Sequence, residues 1–239
     1  MSNVRLVKGT AVYTSAFTPP TAPLTAITNT KFLLNPETSI SDLSQQHTLT
    51  CIADAETSTT QVKFAGTKSI ALDGTGDAII SNRKYSSAYD FVGPFTVECW
   101  ARPSSTGNQF FWCQGIYKIE MGINGNNLRM YRSGEGYTNF FTAGEFSINN
   151  WHHVALVRDS SNVIKCYLNG TASSTTITDA TTYSSLAGTD NSRFIIGGEN
   201  LNFTSVSWPW NGYIQDLRVT QGLARYTANF TPPTAELQG

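Results

Sequence analysis

The stretch Trp151-His152-His153-Val154-Ala155-Leu156-Val157-Arg158-Asp159-Ser160-Ser161-Asn162-Val163-Ile164-Lys165-Cys166-Tyr167-Leu168-Asn169-Gly170 decides the fold. Residues 151–158 and 163–168 read with a period of two rather than 3.6, so each is a strand. The polar run Asp159-Ser160-Ser161-Asn162 between them predicts a tight hairpin. Asn169-Gly170 offers residues that tolerate positive φ and turns the chain again.

The same reading extends in both directions. Residues 68–72 and 95–101 alternate, and short strands are expected over 110–113, 117–121, 128–131, 138–141, 194–196 and 213–219. Asp73-Gly74, Asn124-Gly125 and Asn211-Gly212 mark further turns. No window of a dozen residues carries an amphipathic helical stripe; residues 85–91 form at most a short helical turn. About a dozen short strands in one domain predict an all-β, antiparallel two-sheet jelly-roll sandwich. Cys99 shares strand parity with Phe95 and Val97, and Cys166 with Ile164 and Leu168, so both are expected in the core. Cys51 and Cys113 complete a set whose wide spacing matches no zinc pattern.

Composition narrows the function. The 239 residues carry a net charge of -1, and only 14% of them are charged, against roughly 25% in ordinary domains. Without a basic field to hold phosphates, a nucleic-acid partner is excluded. No apolar run is long enough to span a bilayer, and residues 1–9 lack a secretion signal. The chain is therefore expected to be made and kept in a cytosol unless it leaves inside a larger particle.

One segment occurs twice. Residues 4–24 align without a gap on residues 217–237, from Val4 on Leu217 to Leu24 on Leu237. Arg, Gly, Ala, Tyr, Thr, Phe, Thr, Pro, Pro, Thr, Ala and Leu are identical, which is 12 of 21 positions. In each copy a strand ends at Gly, two aromatic anchors follow, and an extended Thr-Pro-Pro has few backbone donors. The C-terminal copy, with Tyr226 and Phe230, can dock on its own sandwich. The N-terminal copy, with Tyr13, Phe17, Pro19 and Pro20, is either a relic of a tandem ancestor or an assembly arm for a neighbouring subunit. Residues 1–30 are thus read as an extended arm and residues 31–239 as the sandwich.

These residues resemble the concanavalin-A-like, laminin-G-like jelly-roll superfamily. The resemblance is carried by Ser69-Ile70-Ala71-Leu72-Asp73-Gly74-Thr75-Gly76-Asp77, by Phe95-Thr96-Val97-Glu98-Cys99-Trp100-Ala101-Arg102-Pro103, by the 151–158 strand, by Tyr167-Leu168-Asn169-Gly170, and by Gly212-Tyr213-Ile214-Gln215-Asp216-Leu217-Arg218-Val219. It is specific for fold and not for function. The ending from Arg218 through Tyr226-Thr227 and Phe230-Thr231-Pro232-Pro233 is similar to the version of this domain in bacteriophage structural proteins. That implies a non-enzymatic virion component, a capsid decoration, fibre or tail-associated subunit, synthesised in the bacterial host cytoplasm. Its partners would be other copies of itself and other virion proteins, with no membrane partner. The alternative is a carbohydrate-binding module for a host-surface or other polysaccharide.

Candidate sites follow from the resemblance and from residue type. Glucanases of this fold carry paired acids on one strand face, and the pattern Glu-x-Asp-x-x-Glu is absent. Glu98, Glu120, Glu135, Glu145 and Glu199 are scattered, and are expected as solvated or turn carboxylates that share no strand face. His152 and His153 are adjacent in a strand and so face opposite sides. The resemblance implies Ca²⁺ as the one cofactor to consider, with Asp73, Asp77 and Asp216 as ligands, although 73–77 also reads as an ordinary turn. For sugar stacking, Trp208 and Trp210 in Ser207-Trp208-Pro209-Trp210-Asn211 are the candidates, with core packing or a subunit interface as the other readings. Phe110 and Trp112 are expected on one face and Phe111 on the other.

Overall fold

The decisive hairpin forms as read. His152–Arg158 pairs antiparallel with Val163–Leu168, and Asp159 closes the turn by accepting the Ser161 and Val163 amides on Oδ1 at 2.8 and 2.9 Å. The computed structural model describes residues 4–9, 11–13, 30–34, 49–81, 89–115, 118–142, 144–184, 193–200 and 205–236. These residues contain no α-helix. Their strands are β1 (Val4–Val7), β2 (Thr30–Leu34), β3 (Leu49–Ile52), β4 (Glu56–Ser58), β5 (Ser69–Asp73), β6 (Ala78–Ser81), β7 (Phe95–Pro103), β8 (Gln109–Gln114) and β9 (Ile119–Asn124). There follow β10 (Asn127–Arg132), β11 (Gly136–Phe141), β12 (His152–Arg158), β13 (Val163–Leu168), β14 (Thr171–Thr178), β15 (Phe194–Ile196), β16 (Glu199–Asn200), β17 (Val206–Ser207) and β18 (Asn211–Gln221).

Two seven-stranded antiparallel sheets make the sandwich. The front sheet runs β11-β10-β9-β8-β15-β6-β3, and the back sheet β14-β13-β12-β7-β18-β5-β4. Alternation sends one face of each inward. Phe95, Val97, Cys99 and Ala101 of β7, with Val154 and Leu156 of β12, meet Ile119, Met121 and Ile123 of β9 and Leu128 and Met130 of β10 in one core. Cys99 and Cys166 lie in that core as free thiols. The expected short turn over 85–91 lies partly outside the described residues, but Phe91 bridges Tyr183.

Two readings are corrected, and one strand is found that the sequence had not shown. First, Phe110 and Trp112 do not share a face. A bulge between them puts Phe111 and Trp112 in the core and turns Phe110 outward, because the extra residue breaks the period of two. Second, Asn211-Gly212 is no turn but the start of β18; Gly212 has φ 146°, and a Cβ there would lie 2.1 Å from the Arg102 carbonyl oxygen. Glycine is needed for that approach to β7, not for a reversal. Third, Thr171-Ala172-Ser173-Ser174-Thr175-Thr176-Ile177-Thr178 is a strand, although it lacks an apolar stripe. It is an edge strand of the back sheet, so one long side is open and little burial is demanded of it.

The two copies of the repeat have different surroundings. β1 pairs with β2 in a two-stranded ribbon of its own, and β1 also lies alongside β18 of the back sheet. Tyr13 is exposed, while Phe17, Pro19 and Pro20 lie outside the described residues. The C-terminal copy leaves β18 and lies across the outer face of the back sheet. There Tyr226 and Phe230 stack at 3.6 Å and 7° and pack on Ala155, Val157 and Tyr167.

Candidate functional site

The outer face of the back sheet is closed by that segment. Glu98 of β7 and His153 of β12 point outward by parity, yet both are fully buried. Glu98 Oε1 accepts Nε and an Nη of Arg218 at 2.9 and 2.7 Å, Oε2 accepts the Tyr226 hydroxyl at 2.7 Å, and His153 Nε2 lies 3.3 Å from Oε2. Burial alone would raise the Glu98 pKa; His153, the Arg218 charge and the Tyr226 hydroxyl outweigh it and hold the carboxyl at about 2. The same burial, with the carboxylate beside it, pushes the Tyr226 phenol up. This is a structural clamp, so the expectation that Glu98 is solvated is wrong: the segment that covers it is remote in sequence.

Among the described residues, the outer face of the front sheet is only partly covered. One register row runs Tyr137, Tyr131, Glu120, Cys113, Ile195 and Ile80 across β11, β10, β9, β8, β15 and β6. At the β8–β15–β6 end, Phe110, Cys113, Ile195, Ile80 and Ala78 form a small apolar cluster with Val206 of β17 packed on it. At the β11–β10–β9 end the row is polar and aromatic. The Arg129 guanidinium sits 3.8 Å over the Tyr137 ring and bonds Asn108 Oδ1, and Tyr131 meets Tyr137 edge-on at 5.1 Å. Tyr137 is 49% exposed. Glu120 and Glu199, both buried, act together on Tyr137: burial comes first in raising its pKa, Arg129 opposes, and the two carboxylates raise it further. Their burial corrects the expectation that Glu120 and Glu199 are solvated; they lie on different strands, β9 and β16, as the absence of a paired-acid strand predicts.

Trp208 and Trp210 separate. Trp210 is wholly buried and meets Phe111 edge-on at 5.3 Å, so its ring is core and is no sugar platform. Trp208 is 45% exposed at the sandwich rim and is held at φ 52°, a region that bulky residues avoid. Its carbonyl accepts the Phe110 amide at 3.1 Å, which ties the loop to β8.

The expected Asp triad does not assemble. Asp216 is buried at the bulge of β18, five residues and about 17 Å along the strand from Asn211, the partner of Asp73. Asp54 comes together with Asp73 and Asp77 instead, with one carboxylate oxygen of each within 4.8 Å of the others. Asp77 accepts the Asp54 and Asp73 amides at 3.1 and 2.7 Å, and Asp73 accepts the Thr75 amide at 2.6 Å. Burial, then crowding by its two neighbours, pushes the Asp77 pKa up. Ca²⁺ wants six to eight oxygens, whereas Asp77 already has both of its own engaged. The residues fit a hydrogen-bonded turn better than a dedicated metal cradle.

A family model described as the concanavalin A-like lectin/glucanases superfamily matches residues 73–223. The chain belongs to this superfamily. No curated protein matches it. Among solved structures, the binding domain of botulinum neurotoxin serotype D aligns at TM-score 0.54 and 14% identity, over 77% of this chain and 46% of that one. The binding domain of Paraclostridial Mosquitocidal Protein 1 aligns at 0.56 and 17%, over 80% and 48%. Domain 4 of AbnA, an extracellular arabinanase from Geobacillus stearothermophilus solved with arabinotriose, aligns at 0.53 and 19%, over 77% and 87%. The chain thus spans about half the length of the toxin binding domains and most of the arabinanase domain.

Sequence reasoning had not singled out Arg129, Tyr131 and Tyr137. Tyr131 and Tyr137 sit in predicted or nearly predicted strands, and opposite parity to Met130 and Leu128 was the available signal for an outward aromatic.

Proposed function

We propose that this lectin-like domain is a non-catalytic carbohydrate-binding module. The observation that carries the reading is Trp208, a large ring left open to solvent and held in a strained backbone. A hydrophobic ring of that size normally stabilises a fold by burial, and its neighbour Trp210 does so. Tyr137 and Tyr131 supply a second aromatic surface, oriented by Arg129. A domain solved with arabinotriose and a botulinum type C neurotoxin whose cell entry depends on two ganglioside molecules are compatible with this reading as proteins of similar fold.

The chemistry favours a neutral glycan. The open rings of Trp208 and Tyr137, the latter with the Arg129 guanidinium already over one face, leave ring stacking and hydroxyl contacts as the attractive terms. The test is retention on immobilised neutral and sialylated polysaccharides. The native chain is expected to be retained on a neutral one, Trp208→Ala or Tyr137→Ala to lose most of that retention with a Tm lowered by no more than a few °C, and Trp210→Ala to lower the Tm much further. Equal retention of native protein and both surface variants would sink the reading.

Self-association, with a place on a virion as its most specific form, is the second reading. It is supported by the duplicated segment and by the way the C-terminal copy is held.

A further inference from the structure

We propose that the outer face of the back sheet is also a docking cradle for the N-terminal segment of a second copy of this chain, entered when the C-terminal segment is displaced. The inference deepens the self-association reading and is independent of the glycan reading.

The cradle's contacts divide into those that any chain could make and those that need particular side chains. Backbone contacts come first: Gly170 O accepts the Phe230 amide at 2.9 Å, Thr96 Oγ1 accepts the Arg225 amide at 3.0 Å, and the Tyr167 hydroxyl donates to the Tyr226 carbonyl at 3.2 Å. The specific ones are the Tyr226 hydroxyl on Glu98, and the stacked Tyr226 and Phe230 rings against His153 and Tyr167. Tyr13 and Phe17 stand at the corresponding places of the N-terminal copy, with the same spacing and the same Thr-Pro-Pro after them. They supply the rings and the hydroxyl that the cradle reads.

Two specific contacts are not duplicated. Asn229 Oδ1 accepts the Ala172 amide at 2.9 Å, and Arg225 Nε lies 3.7 Å from Glu98 Oε1. The N-terminal copy has Ala16 and Val12 there. It is therefore the weaker ligand, and the C-terminal segment, tethered directly to β18, holds its own cradle by effective concentration as well. A chain with one cradle carries two segments whose sequences match it. The second segment can enter a neighbour's cradle by exchange, in which each copy gives its N-terminal segment to the other and the dimer closes.

The test uses the full chain, with light scattering behind size-exclusion chromatography over the widest accessible concentration range. Tyr226→Ala with Phe230→Ala removes the resident anchors and should tighten self-association at least about tenfold. Adding Tyr13→Ala and Phe17→Ala should return the protein to its native behaviour. Arg225→Val with Asn229→Ala makes the resident segment resemble the N-terminal one while keeping both rings, and should give a smaller increase. This milder pair decides the question if the anchor variant does not fold. Tail variants that stay folded, by circular dichroism, and associate no more than the native chain would overturn the proposal, as would association that survives loss of Tyr13 and Phe17. Polysaccharide retention should be unchanged throughout, so a failed glycan reading is recognised separately.

Discussion

The two outer faces of the sandwich come from the same alternation of strand residues and end in opposite states. Each sends out a glutamate near its middle strands, Glu98 from β7 behind and Glu120 from β9 in front, with aromatic rings nearby. Behind, a segment of the chain lies over the glutamate and supplies Tyr226 to bond it. In front, Val206 packs on the apolar end and Glu120 is buried too, but among the described residues Tyr137 stays open. The difference teaches that outward polar residues on a strand do not reveal whether they face water or another piece of the chain. That depends on what arrives later in the sequence.

Breaking the closed face should have the largest effect. Glu98→Gln removes the charge that pairs with Arg218 and leaves a guanidinium under cover without its carboxylate. Losing one partner of a buried pair costs about 3–5 kcal/mol. Thermal unfolding should show a fall in Tm on the order of 10 °C for a chain of this size. The corresponding Tyr137→Ala on the open face should lower it by no more than a few °C. A Glu98→Gln variant as stable as the native protein would mean that the face is not clamped by this pair.

Acid should open the same face. The Glu98 carboxyl is held at about 2, below its ordinary value. The unfolded chain therefore binds the proton more readily, and stability is present above the ordinary carboxylate pKa and is lost as pH falls from about 4.5 toward 2. The shift corresponds to on the order of 3 kcal/mol. Urea unfolding at a series of pH values should show that loss in the native chain and a shallower one in Glu98→Gln; parallel curves would assign the acid sensitivity elsewhere.

A smaller effect tests the seating of the segment. At Gly170, φ is 81° and a Cβ would lie 1.8 Å from the Phe230 carbonyl oxygen. Gly170→Ala must strain the turn or lift the segment, at a cost of roughly 1–3 kcal/mol. Hydrogen exchange should show the amides of Phe230 and Arg225, protected in the native chain by Gly170 and Thr96, exchanging faster while those of β12 and β13 do not change.

Most of the sandwich was legible in the sequence because it depends on local alternation. β12, β13, β15 and the start of β7 lie where the period of two put them. What failed failed for physical reasons. The β8 bulge adds one residue that no pattern shows, and β14 is polar because an edge strand can be. The sites were less legible because their members come from distant segments. Asp54 joins Asp73 and Asp77 from another loop, Glu199 of β16 acts on Tyr137 together with Glu120 of β9, and Tyr226 meets Glu98 across 128 positions. Adjacent Trp208 and Trp210 were read as one feature, yet one is core and the other is surface.

The smallest stability effect sits at that last pair and decides what the open side is for. Trp208 adopts φ 52°. Asparagine tolerates this conformation far better than a bulky residue does. Trp208→Asn exchanges a strained residue for a compatible one, worth about 1 kcal/mol, and gives up the covered part of a residue that is 45% exposed, about 2–3 kcal/mol at most. The two terms have opposite signs, so the Tm is expected to fall by only a few °C, well short of the fall in Glu98→Gln. A Trp208→Asn variant that falls no further and no longer binds polysaccharide would mean that the backbone strain is held for the sake of the exposed ring. A Tm lowered as much as by Glu98→Gln would mean that Trp208 belongs to the fold like Trp210, and the open side would lose its main binding residue.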